Sequence, residues 1–502
     1  MSTTPAALPK LTAAALGAAT NHRPERILQF GEGGFLRGFV DWMIHRLNQR
    51  GLFEGSVVVV QPLATGLVDE LNRQNGLFTL VQRGVVGGEV REEIEIVRSI
   101  RRGLNPYADF AGYLACARNP DLRFIVSNTT EAGIACHPDD RLDAEPPVSF
   151  PAKLVRLLLE RFRAFGGSAE SGLVVLPCEL IEFNGTNLRR CVLETAAKWA
   201  LDAAFVAWVE KHVVFCNTLV DRIVTGYPRD EAAALCARLG YEDALLNTCE
   251  LFHAWVIEGP ASLAAELPFA KAGLKVVFTS DYKPYRDRKV RILNGAHTST
   301  VLAAHLAGHD LVKQMLDDPL FAGFLRRALN EEIIPTLDLP RSDLDAFAAA
   351  VLERFANPFV KHALLSISLN STSKFTARVL PSLQTYLARR GSLPPCLVFS
   401  LAALIAFYRG TELRDGALVG RRPAGDTYLI KDNPEVLAFF RAVWSAADTS
   451  PAAVVKAVLG NASLWGGQDL TTVPGLPAAL TSDLAAILGS GMRAALEKRL
   501  TG

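Results

Sequence analysis

The sequence lacks the features that would place it outside the ordinary globular class. It has no excess of charge of either sign, because 53 basic residues stand against 52 acidic residues in a chain of 502. Nucleic-acid-binding proteins carry a clear excess of lysine and arginine, so we expect no nucleic-acid partner. The eight cysteines contain no CxxC pair, which is typical of reduced, buried thiols in a cytoplasmic protein and not of a disulfide framework.

Long hydrophobic runs are also missing. The longest apolar stretch, residues 397–408, is shorter than the roughly 18 residues that indicate a membrane span, so it predicts a buried helix. Residues 1–26 carry one early cation, Lys10, and only a short apolar stretch. They predict an N-terminal arm or a short helix and not a targeting signal. We therefore expect no membrane partner and a cytoplasmic location.

What is present is a change of pattern along the chain. In the first half, short apolar runs such as residues 56–60 (SVVVV) predict strands covered on both faces, and amphipathic stretches between them predict helices. Alternation of this kind favours an α/β fold with a mainly parallel sheet. From about residue 290 helical Ala/Leu-rich periodicity takes over. We predict an α/β domain over residues 1–280 and a mainly α-helical domain over residues 281–502.

A glycine cluster follows the first predicted strand and opens a predicted helix. Residues 29–39 read QFGEGGFLRGF, which gives G-x-G at Gly31 and Gly33. In a Rossmann-like domain this is where a dinucleotide pyrophosphate sits on a helix N-terminus. Leu36 stands where the strict G-x-G-x-x-G pattern has a glycine. On the pattern alone, a tight β–α turn without a ligand is an equal alternative.

The second predicted strand ends without the acidic residue that usually holds the adenosine ribose of NAD. Val60 is followed by QPLAT, and the first carboxylate after it is Asp69. No arginine stands there to accept the 2′-phosphate of NADP. The pattern leaves the choice between NAD and NADP open. Asp69 is a ribose candidate only if the loop folds back, and otherwise a solvated helix residue.

The segment 282–308 carries side chains suited to proton transfer and oxyanion binding. Asn294 and His297 lie three apart and share a face of the predicted helix, so an amide and an imidazole can bind one oxygen there. Lys289 lies eight residues before His297, about 12 Å of helical rise, so we expect it just before the helix or in its first turn. On spacing alone, a surface lysine, a capping amide and a structural histidine are the commoner arrangement.

Two pairs of residues have the helical spacing of metal ligands. They are Cys249 with His253 and His305 with His309. Neither pair comes with a third ligand at an evident position. We interpret them as buried thiol and structural histidines, and predict no metal.

Taken together, the motifs resemble a known family. Gly31-x-Gly33-x-Phe35-x-Arg37 combined with Lys289-x4-Asn294-x2-His297 is similar to the polyol-specific long-chain dehydrogenases/reductases, typified by mannitol dehydrogenase. The resemblance extends over about residues 26–385. Other blocks that resemble the family in order lie at residues 74–83, 128–133, 178–185 and 220–223.

The resemblance implies an NAD-dependent oxidoreductase that transfers hydride without a metal. Lys289 is implied as the acid/base, Asn294 and Asn184 as donors to the substrate oxyanion, and His297 as the residue that orients substrate hydroxyls. The full implied set is, for catalysis, Lys289, Asn294, His297 and Asn184; for the cofactor, Phe30, Gly31, Gly33, Gly34, Phe35, Arg37, Thr130 and Glu131; for the substrate, Asp221, Lys374, Arg378 and His362.

Within the family, residues 30–42 and 253–260 are most similar to a branch that acts on ketouronates. Leu36 stands where mannitol-acting and fructuronate-acting members usually have histidine, whereas Gly34 and Gly38 depart from the asparagine and alanine usual in this branch. A uronate carboxylate needs a cation, and Lys374 and Arg378 lie four apart on a predicted helix. A pair of cations at that spacing is ordinarily solvated surface.

The expected activity is therefore reversible reduction of D-tagaturonate to D-altronate in hexuronate catabolism. D-Fructuronate or a neutral polyol such as mannitol is the alternative substrate. A nucleotide-binding protein without enzymatic activity is the alternative of another class. The expected partner is a small sugar acid, and the chain is expected to be a monomer or a homo-oligomer.

Overall fold

The computed structural model describes residues 8–17, 20–130 and 132–501. They divide into two compact units. Unit 1 consists of the described residues up to Gly84 together with Arg91–Tyr282. Unit 2 consists of Val85–Val90 together with the described residues from Lys283 onwards.

Unit 1 is an α/β structure, which confirms the predicted fold class. Its strands are β1 (Glu25–Phe30), β2 (Ser56–Val60), β3 (Phe78–Val86), β4 (Glu89–Val97), β5 (Ile100–Leu104), β6 (Phe124–Ser127), β7 (Val174–Pro177), β8 (Val214–Phe215), β9 (Asn217–Asp221), β10 (Val224–Gly226), β11 (Asn247–Glu250), β12 (Ala254–Glu258) and β13 (Val276–Thr279). Its helices are α1 (Gly34–Leu36), α2 (Trp42–Gln49), α3 (Val68–Arg73), α4 (Phe110–Ala115), α5 (Phe150–Ala164), α6 (Asn184–Lys198), α7 (Ala203–His212), α8 (Ala232–Leu239) and α9 (Leu263–Glu266).

The main sheet of unit 1 is parallel throughout. Its strand order is β5-β2-β1-β6-β7-β8. If these six strands are numbered along the chain, the order becomes 3-2-1-4-5-6, the arrangement of the dinucleotide-binding Rossmann fold. The direction of winding reverses between β1 and β6. The carboxyl ends of these two strands therefore flank the crevice where such folds bind their ligands.

Strand β2 shows why strands of this sheet appear in the sequence as continuous apolar runs. All five of its residues are buried. Val57 and Val59 join one hydrophobic core, and Val58 and Val60 join another. Because helices cover both faces of the sheet, each side chain is buried whichever way it points, and the pattern loses its alternation.

Two smaller sheets complete unit 1. One has the order β10-β11-β3-β4 and the other the order β13-β12-β9. Strands β3 and β4 form a hairpin whose tip, Val85–Val90, is assigned to unit 2; Gly87 and Gly88 join the two strands, with φ of 62° and 83°. Two successive positive φ angles are what a two-residue type I′ turn requires, and glycine adopts them without steric cost.

Unit 2 is mainly helical, as predicted. Its helices are α10 (Lys283–Arg288), α11 (Gly295–Leu306), α12 (Val312–Asp317), α13 (Pro319–Arg327), α14 (Arg341–Phe355), α15 (Leu364–Ile367), α16 (Ser371–Arg378), α17 (Leu380–Arg390), α18 (Pro395–Phe407), α19 (Pro434–Trp444), α20 (Pro451–Gly460), α21 (Leu476–Ser490) and α22 (Met492–Thr501). A small antiparallel sheet of β14 (Leu413–Arg414), β15 (Ala417–Arg421) and β16 (Thr427–Ile430) was not predicted. Its signal was the Asp415-Gly416 turn, with φ of 50° and 74°, a common hairpin pair.

The apolar run at residues 397–408 falls in α18, a helix of 13 residues. Every side chain from Cys396 to Phe407 is buried, as the sequence predicted. Across the described ranges of the chain, no helix is long and apolar enough to cross a membrane.

Helical periodicity in the sequence predicts one helix over residues 187–210 and another over residues 476–499, and both are broken in the structure. The stretch at 187–210 divides into α6 and α7, because Ala200 has a φ of 50° and the Asp202 carboxylate caps the backbone N–H of Ala204 at 2.7 Å. The stretch at 476–499 divides into α21 and α22 at Gly491, whose φ is 84°. A single residue in the left-handed region ends a helix without interrupting the apolar periodicity around it.

Candidate active site

The glycine loop of unit 1 leads from β1 into α1 at the carboxyl edge of the main sheet. Gly31 has a φ of 120°, and a Cβ on it would lie 2.9 Å from the carbonyl oxygen of Asn128 after β6. Gly31 therefore allows the two loops that flank the crevice to approach each other. At Gly33 no heavy atom lies within 4 Å of the Cβ position, so the backbone before the helix is open to a ligand.

The helix that begins at Gly34 runs without interruption to Gln49, through a π-helical turn at Arg37–Asp41. Its first backbone N–H groups have no partner within the helix, and the helix dipole adds positive potential there. The open backbone at Gly33, the switch in strand order and this helix start fit a dinucleotide pyrophosphate. This end of unit 1 is therefore the candidate cofactor site.

Arg37, which the sequence assigned to the cofactor, is buried at 4% exposure. Its Nε donates to the carbonyl oxygen of Glu32 at 3.1 Å, and its Nη1 donates to the carbonyl oxygen of Leu245. The guanidinium also lies 5.2 Å from the ring centroid of Phe78. Its hydrogen bonds are to the protein's own backbone, so the geometry supports bracing of the glycine loop more than contact with a phosphate.

Asn247 on β11 explains the two glycines that depart from the family pattern. Its Nδ2 donates to the carbonyl oxygen of Gly34 at 2.8 Å. A Cβ on Gly34 would lie 3.1 Å from Asn247 Oδ1, and a Cβ on Gly38 would lie 3.0 Å from Asn247 Nδ2. Both distances are tighter than ordinary contact, so the two glycines make room for one amide.

The remaining predicted cofactor residues have varied environments. Phe30 is fully buried and packs on Phe150 with ring centroids 4.8 Å apart, whereas Phe35 stacks on Phe39 at 5.1 Å. Thr130 is exposed after β6 with a φ of 81°, which is a strained conformation for a β-branched residue and is common near ligand sites. Glu131 lies outside the described residues.

Asn184, predicted to donate to the substrate oxyanion, is buried in unit 1 at 1% exposure. Its Nδ2 donates to the carbonyl oxygens of Pro177, Glu179 and Thr218 at 3.0–3.1 Å. Its Oδ1 accepts from the backbone N–H groups of Gly185 and Thr218, each at 2.8 Å. With both N–H groups used inside the unit, the geometry supports a positioning role for Asn184 and not direct donation to a substrate.

Asp221, a predicted substrate residue, is the last residue of β9 and is 7% exposed. The next residue, Arg222, is also buried and donates from Nη1 to the carbonyl oxygen of Gly38 at 2.7 Å. The strand end that carries Asp221 is thereby tied to the helix that follows the glycine loop.

In unit 2 the predicted catalytic residues lie on one continuous helical segment, residues 283–306, which we call the catalytic helix. Its middle, Lys289–Asn294, is a π-helical turn, in which the backbone N–H of Gly295 donates to the carbonyl oxygen of Val290 five residues earlier. The prediction that Lys289 lies before the helix or in its first turn is wrong, because the helix already begins at Lys283.

The π turn changes which side chains share a face. In an α-helix, Lys289 and Asn294 would point apart, because residues five apart are not neighbours on its surface. A π turn closes its hydrogen bond over five residues and stacks positions i and i+5. The π turn therefore brings positions 289 and 294 nearer to one face of the helix than an α-helical turn would, and His297 follows Asn294 three residues later. Among the described residues, none makes a hydrogen bond to the side-chain amide of Asn294.

His297 is held as a neutral ring. It stacks on Phe355 with centroids 3.9 Å apart and an interplanar angle of 8°, and the ring of His362 meets it edge-on at 5.1 Å. Burial, and then the charges of His362, Arg354, Arg378 and Lys374, lower the pKa of His297 well below its usual value. Its Nε2 is buried and has no hydrogen-bond partner within the described part of the chain.

The residues around His297 form a basic cluster, which we define as His297, His362, Lys374 and Arg378. Lys374 and Arg378 lie four apart on α16, as predicted, and both are half-buried. Lys374 Nζ donates to the carbonyl oxygen of Ile367 at 2.8 Å. The guanidinium of Arg378 has no carboxylate partner anywhere in the described ranges. Burial lowers the pKa of Arg378, so an anion beside it would be favoured.

Close packing of the backbone holds α16 against the catalytic helix. A Cβ on Gly295 would lie 3.2 Å from the carbonyl oxygen of Arg378, which is tighter than ordinary contact. Gly295, between Asn294 and the helix turn that carries His297, therefore sets how near the basic cluster comes to the catalytic helix. Sequence reasoning missed Phe355 and Arg354, because no local pattern links the end of α14 to His297.

Cys249 lies on strand β11 and His309 lies beyond the end of α11, so neither Cys249 with His253 nor His305 with His309 shares a helical face. Within residues 8–17, 20–130 and 132–501, no group of three or more His, Cys, Asp or Glu side chains is placed to hold a metal ion.

Both units match models of one protein family. Residues 25–271 match the model described as mannitol dehydrogenase Rossmann domain. Residues 281–488 match the model described as mannitol dehydrogenase C-terminal domain.

Curated relatives match over nearly the whole chain. Altronate oxidoreductase from Klebsiella pneumoniae (strain 342) is 49% identical over 478 residues, which cover 94% of this chain and 96% of the relative. Altronate oxidoreductase from Yersinia enterocolitica is 50% identical over 477 residues with the same coverage.

Among solved structures, the fold is similar to two polyol dehydrogenases. A substrate-free D-sorbitol dehydrogenase superposes with a TM-score of 0.80 at 22% identity, over 97% of this chain and 100% of that one. Pseudomonas fluorescens mannitol 2-dehydrogenase, in a ternary complex with NAD and D-mannitol, superposes with a TM-score of 0.67 at 23% identity, over 99% and 97% of the two chains.

Proposed function

Because the chain belongs to the mannitol dehydrogenase family, we propose that it reduces D-tagaturonate reversibly to D-altronate with a nicotinamide cofactor and without a metal. Relatives of this name share about half of its residues over 94% of its length. The proposal is supported by the π turn at Lys289–Asn294, by the buried Nε2 of His297 without a partner in the described chain, and by the Arg378 guanidinium, which has no carboxylate partner among the described residues. The lysine, asparagine and histidine suit the secondary alcohol or ketone of a substrate, and the arginine suits a substrate carboxylate.

The side chains of the catalytic helix divide the proton chemistry between them. The bound nicotinamide supplies or accepts the hydride. In reduction, the Lys289 ammonium gives its proton to the ketone oxygen as the carbon of that ketone gains hydride; in oxidation, the neutral amine takes the hydroxyl proton. Asn294 donates a hydrogen bond to the same oxygen, and one such donor contributes roughly 3–4 kcal/mol where negative charge develops.

His297 acts as an orienting group in this proposal. Its neutral ring offers Nε2 to a substrate hydroxyl, and its stacking on Phe355 fixes the direction of that nitrogen. A buried polar atom left without a partner costs free energy, so a hydroxyl that satisfies Nε2 is bound favourably.

The basic cluster accounts for an acidic substrate. Arg378, with Lys374 one turn before it, faces the carboxylate of the hexuronate, which neutral polyols lack. A planar guanidinium binds a carboxylate through two parallel hydrogen bonds. His362 stands at the edge of the same cluster and contacts the remaining hydroxyls.

For the cofactor, unit 1 offers the open backbone of the glycine loop, and NAD is proposed over NADP. The support is compositional: residues 61–69 after β2 contain no lysine or arginine. A 2′-phosphate would meet no cation there.

The proposal is tested by a substrate panel. Purified protein is mixed with NADH and D-tagaturonate, and the absorbance of the reduced nicotinamide is followed; a steady fall is expected. D-Fructuronate and D-fructose with NADH, and D-mannitol with the oxidised cofactor, serve as comparisons. Each reaction is repeated with the corresponding 2′-phosphorylated cofactor. Silence with every substrate would contradict the enzymatic proposal, and faster turnover of D-fructuronate would overturn the choice of stereoisomer.

A further inference from the structure

The end of β2 is unusual for a dinucleotide-binding unit. Folds with this strand order place a carboxylate at the end of the second strand, where it accepts hydrogen bonds from the adenosine ribose. Here that position is Gln61, which is 2% exposed and uses its Nε2 to brace the loop, donating to the carbonyl oxygens of Leu63 and Ala64 at 2.9 and 3.1 Å. Asp69 is the second residue of α3, and its side chain is exposed.

A different carboxylate occupies this place. Glu32 lies between two glycines of the loop after β1, yet its side chain reaches across to the loop after β2. A Cβ on Gly66 would overlap both Glu32 Oε1 and the Gln61 carboxamide, so the absence of a side chain at Gly66 admits the carboxylate.

Arg37 fixes the backbone of Glu32. The Nε of Arg37 donates to the Glu32 carbonyl oxygen at 3.1 Å, which fixes the backbone from which the side chain extends. Arg37 itself is buried, whereas Glu32 is partly exposed, so part of its side chain can be reached by a ligand.

The surface beside this carboxylate suits an adenosine. The loop after β2 exposes Leu63 and Leu67, at 66% and 43%. Tyr107, which follows β5, donates from its hydroxyl to the carbonyl oxygen of Pro62 at 3.3 Å and is 39% exposed. Flat apolar surface next to a carboxylate is what an adenine ring and its ribose need.

We propose that Glu32 is the ribose-binding and coenzyme-selecting residue of this chain, accepting hydrogen bonds from the adenosine 2′- and 3′-hydroxyls and repelling a 2′-phosphate. The inference rests on the proposed function, because it presumes that unit 1 binds a nicotinamide dinucleotide. The glycine loop then binds two parts of the cofactor: its backbone binds the pyrophosphate, and its one acidic side chain, Glu32, binds the adenosine ribose. No residue of the segment 61–69 shares the second task.

The test is a binding measurement that needs no substrate. The dissociation constants of NADH and NADPH are measured by titration calorimetry for the wild type, Glu32→Gln and Glu32→Lys. Asp69→Asn is the matched control, since it removes the first carboxylate after β2 and leaves Glu32 in place. The wild type is expected to prefer NADH, and the control is expected to keep that preference.

Glu32→Gln should weaken NADH binding about 10- to 100-fold, the size of a hydrogen bond to a charged group, and should narrow the gap to NADPH. Glu32→Lys should reverse the preference. Unchanged NADH and NADPH affinities in folded Glu32 variants would overturn the inference, as would a loss of preference in Asp69→Asn or a wild type that favours NADPH. A wild type that binds neither nucleotide would contradict the proposed function as well, so the two failures are distinguishable.

Discussion

The two units present their candidate binding groups by different means. In unit 1 the groups come from one short stretch, residues 31–34, and they are mainly backbone N–H groups at the start of a helix. In unit 2 the groups are side chains from separate segments, the π turn at Lys289–Asn294, the ring of His362 and the face of α16 that carries Arg378.

This difference teaches where each unit is sensitive. A backbone site depends on φ angles and on the space that glycines leave, so adding one methyl group alters it. A side-chain site depends on charge and on the packing that brings distant segments together. Each of the following substitutions is expected to affect one unit's ligand and to spare the other's.

The largest effect is expected from Lys289→Met. It keeps the length of the side chain and removes the proton donor, so turnover of D-tagaturonate should fall about 10²- to 10⁴-fold. The NADH dissociation constant should stay unchanged, because the cofactor groups belong to unit 1. Steady-state kinetics and a titration with NADH measure the two quantities.

The control is Lys283→Met, which removes an exposed lysine from the start of the same helix. It should leave turnover near that of the wild type. Full activity in Lys289→Met would contradict the assignment of the acid/base, and equal loss in both variants would point to helix stability instead.

Arg378→Met comes next. Loss of the unpaired guanidinium should raise the KM for D-tagaturonate about 10- to 100-fold, the size expected for hydrogen bonds between charged groups. The turnover number should change less, and residual activity on the neutral ketose D-fructose should not fall. Arg390→Met, at the exposed end of α17, is the matched control; equal effects on acidic and neutral substrates would argue against a carboxylate site.

A pair of glycine variants tests unit 1. Gly31→Ala places a side chain at a φ of 120° and 2.9 Å from the Asn128 carbonyl oxygen, so the free energy of unfolding should fall by about 1–3 kcal/mol, and NADH should bind less tightly. Gly33→Ala has an ordinary φ of −65° and no close neighbour. It should weaken NADH binding without loss of stability. Denaturation and NADH titration separate the two outcomes, and identical behaviour would contradict the distinct roles given to the two glycines.

The same difference explains what could be predicted from the sequence. Most strands of the main sheet and the glycine loop were predicted because their signals are local: a continuous apolar run, a G-x-G, a helix start. The edge strand β5, with two arginines among its five residues, has no such run and was not predicted. The role of Arg37 was not, because its partner Leu245 is 208 residues away. Asn184 is the same case, since its amide is consumed by β7 and β9, which no local pattern connects.

In unit 2 the residue types were predicted but their geometry was not. Apolar periodicity does not reveal the π turn, which needs only one extra residue in a helical turn, so Lys289 was expected at the wrong point of the helix. The approach of α16 to His297 depends on Gly295, whose close contact with the Arg378 carbonyl is a property of the packed chain.

The last comparison is between two neutral histidines, and near neutral pH its effect is expected to be the smallest. His253 in unit 1 accepts a hydrogen bond at Nε2 from the backbone N–H of Lys275 at 3.1 Å, whereas Nε2 of His297 in unit 2 has no partner in the described chain. Burial, and then the charge of Arg222, lower the pKa of His253 to about 3. The Nε2 of the first histidine is satisfied by the fold, whereas that of the second is the atom we propose for a substrate hydroxyl.

Because the pKa of His253 is lower in the folded than in the unfolded chain, the unfolded chain binds the extra proton below about pH 6.5, and stability falls as the pH drops towards 3. The His253→Gln variant keeps a hydrogen-bond acceptor and cannot titrate. As the pH drops, its free energy of unfolding should therefore fall less steeply than that of the wild type, by up to about 1.4 kcal/mol per pH unit. Burial raises the pKa of Asp41 to about 7, so protonation of Asp41 favours the folded chain as the pH drops. This contribution is the same in the wild type and in His253→Gln and does not affect the comparison. His297→Gln should reduce the acid loss of stability in the same sense, because burial also lowers the pKa of His297, and it should in addition lower turnover. An equal loss of turnover in His253→Gln would contradict the different roles given to the two histidines.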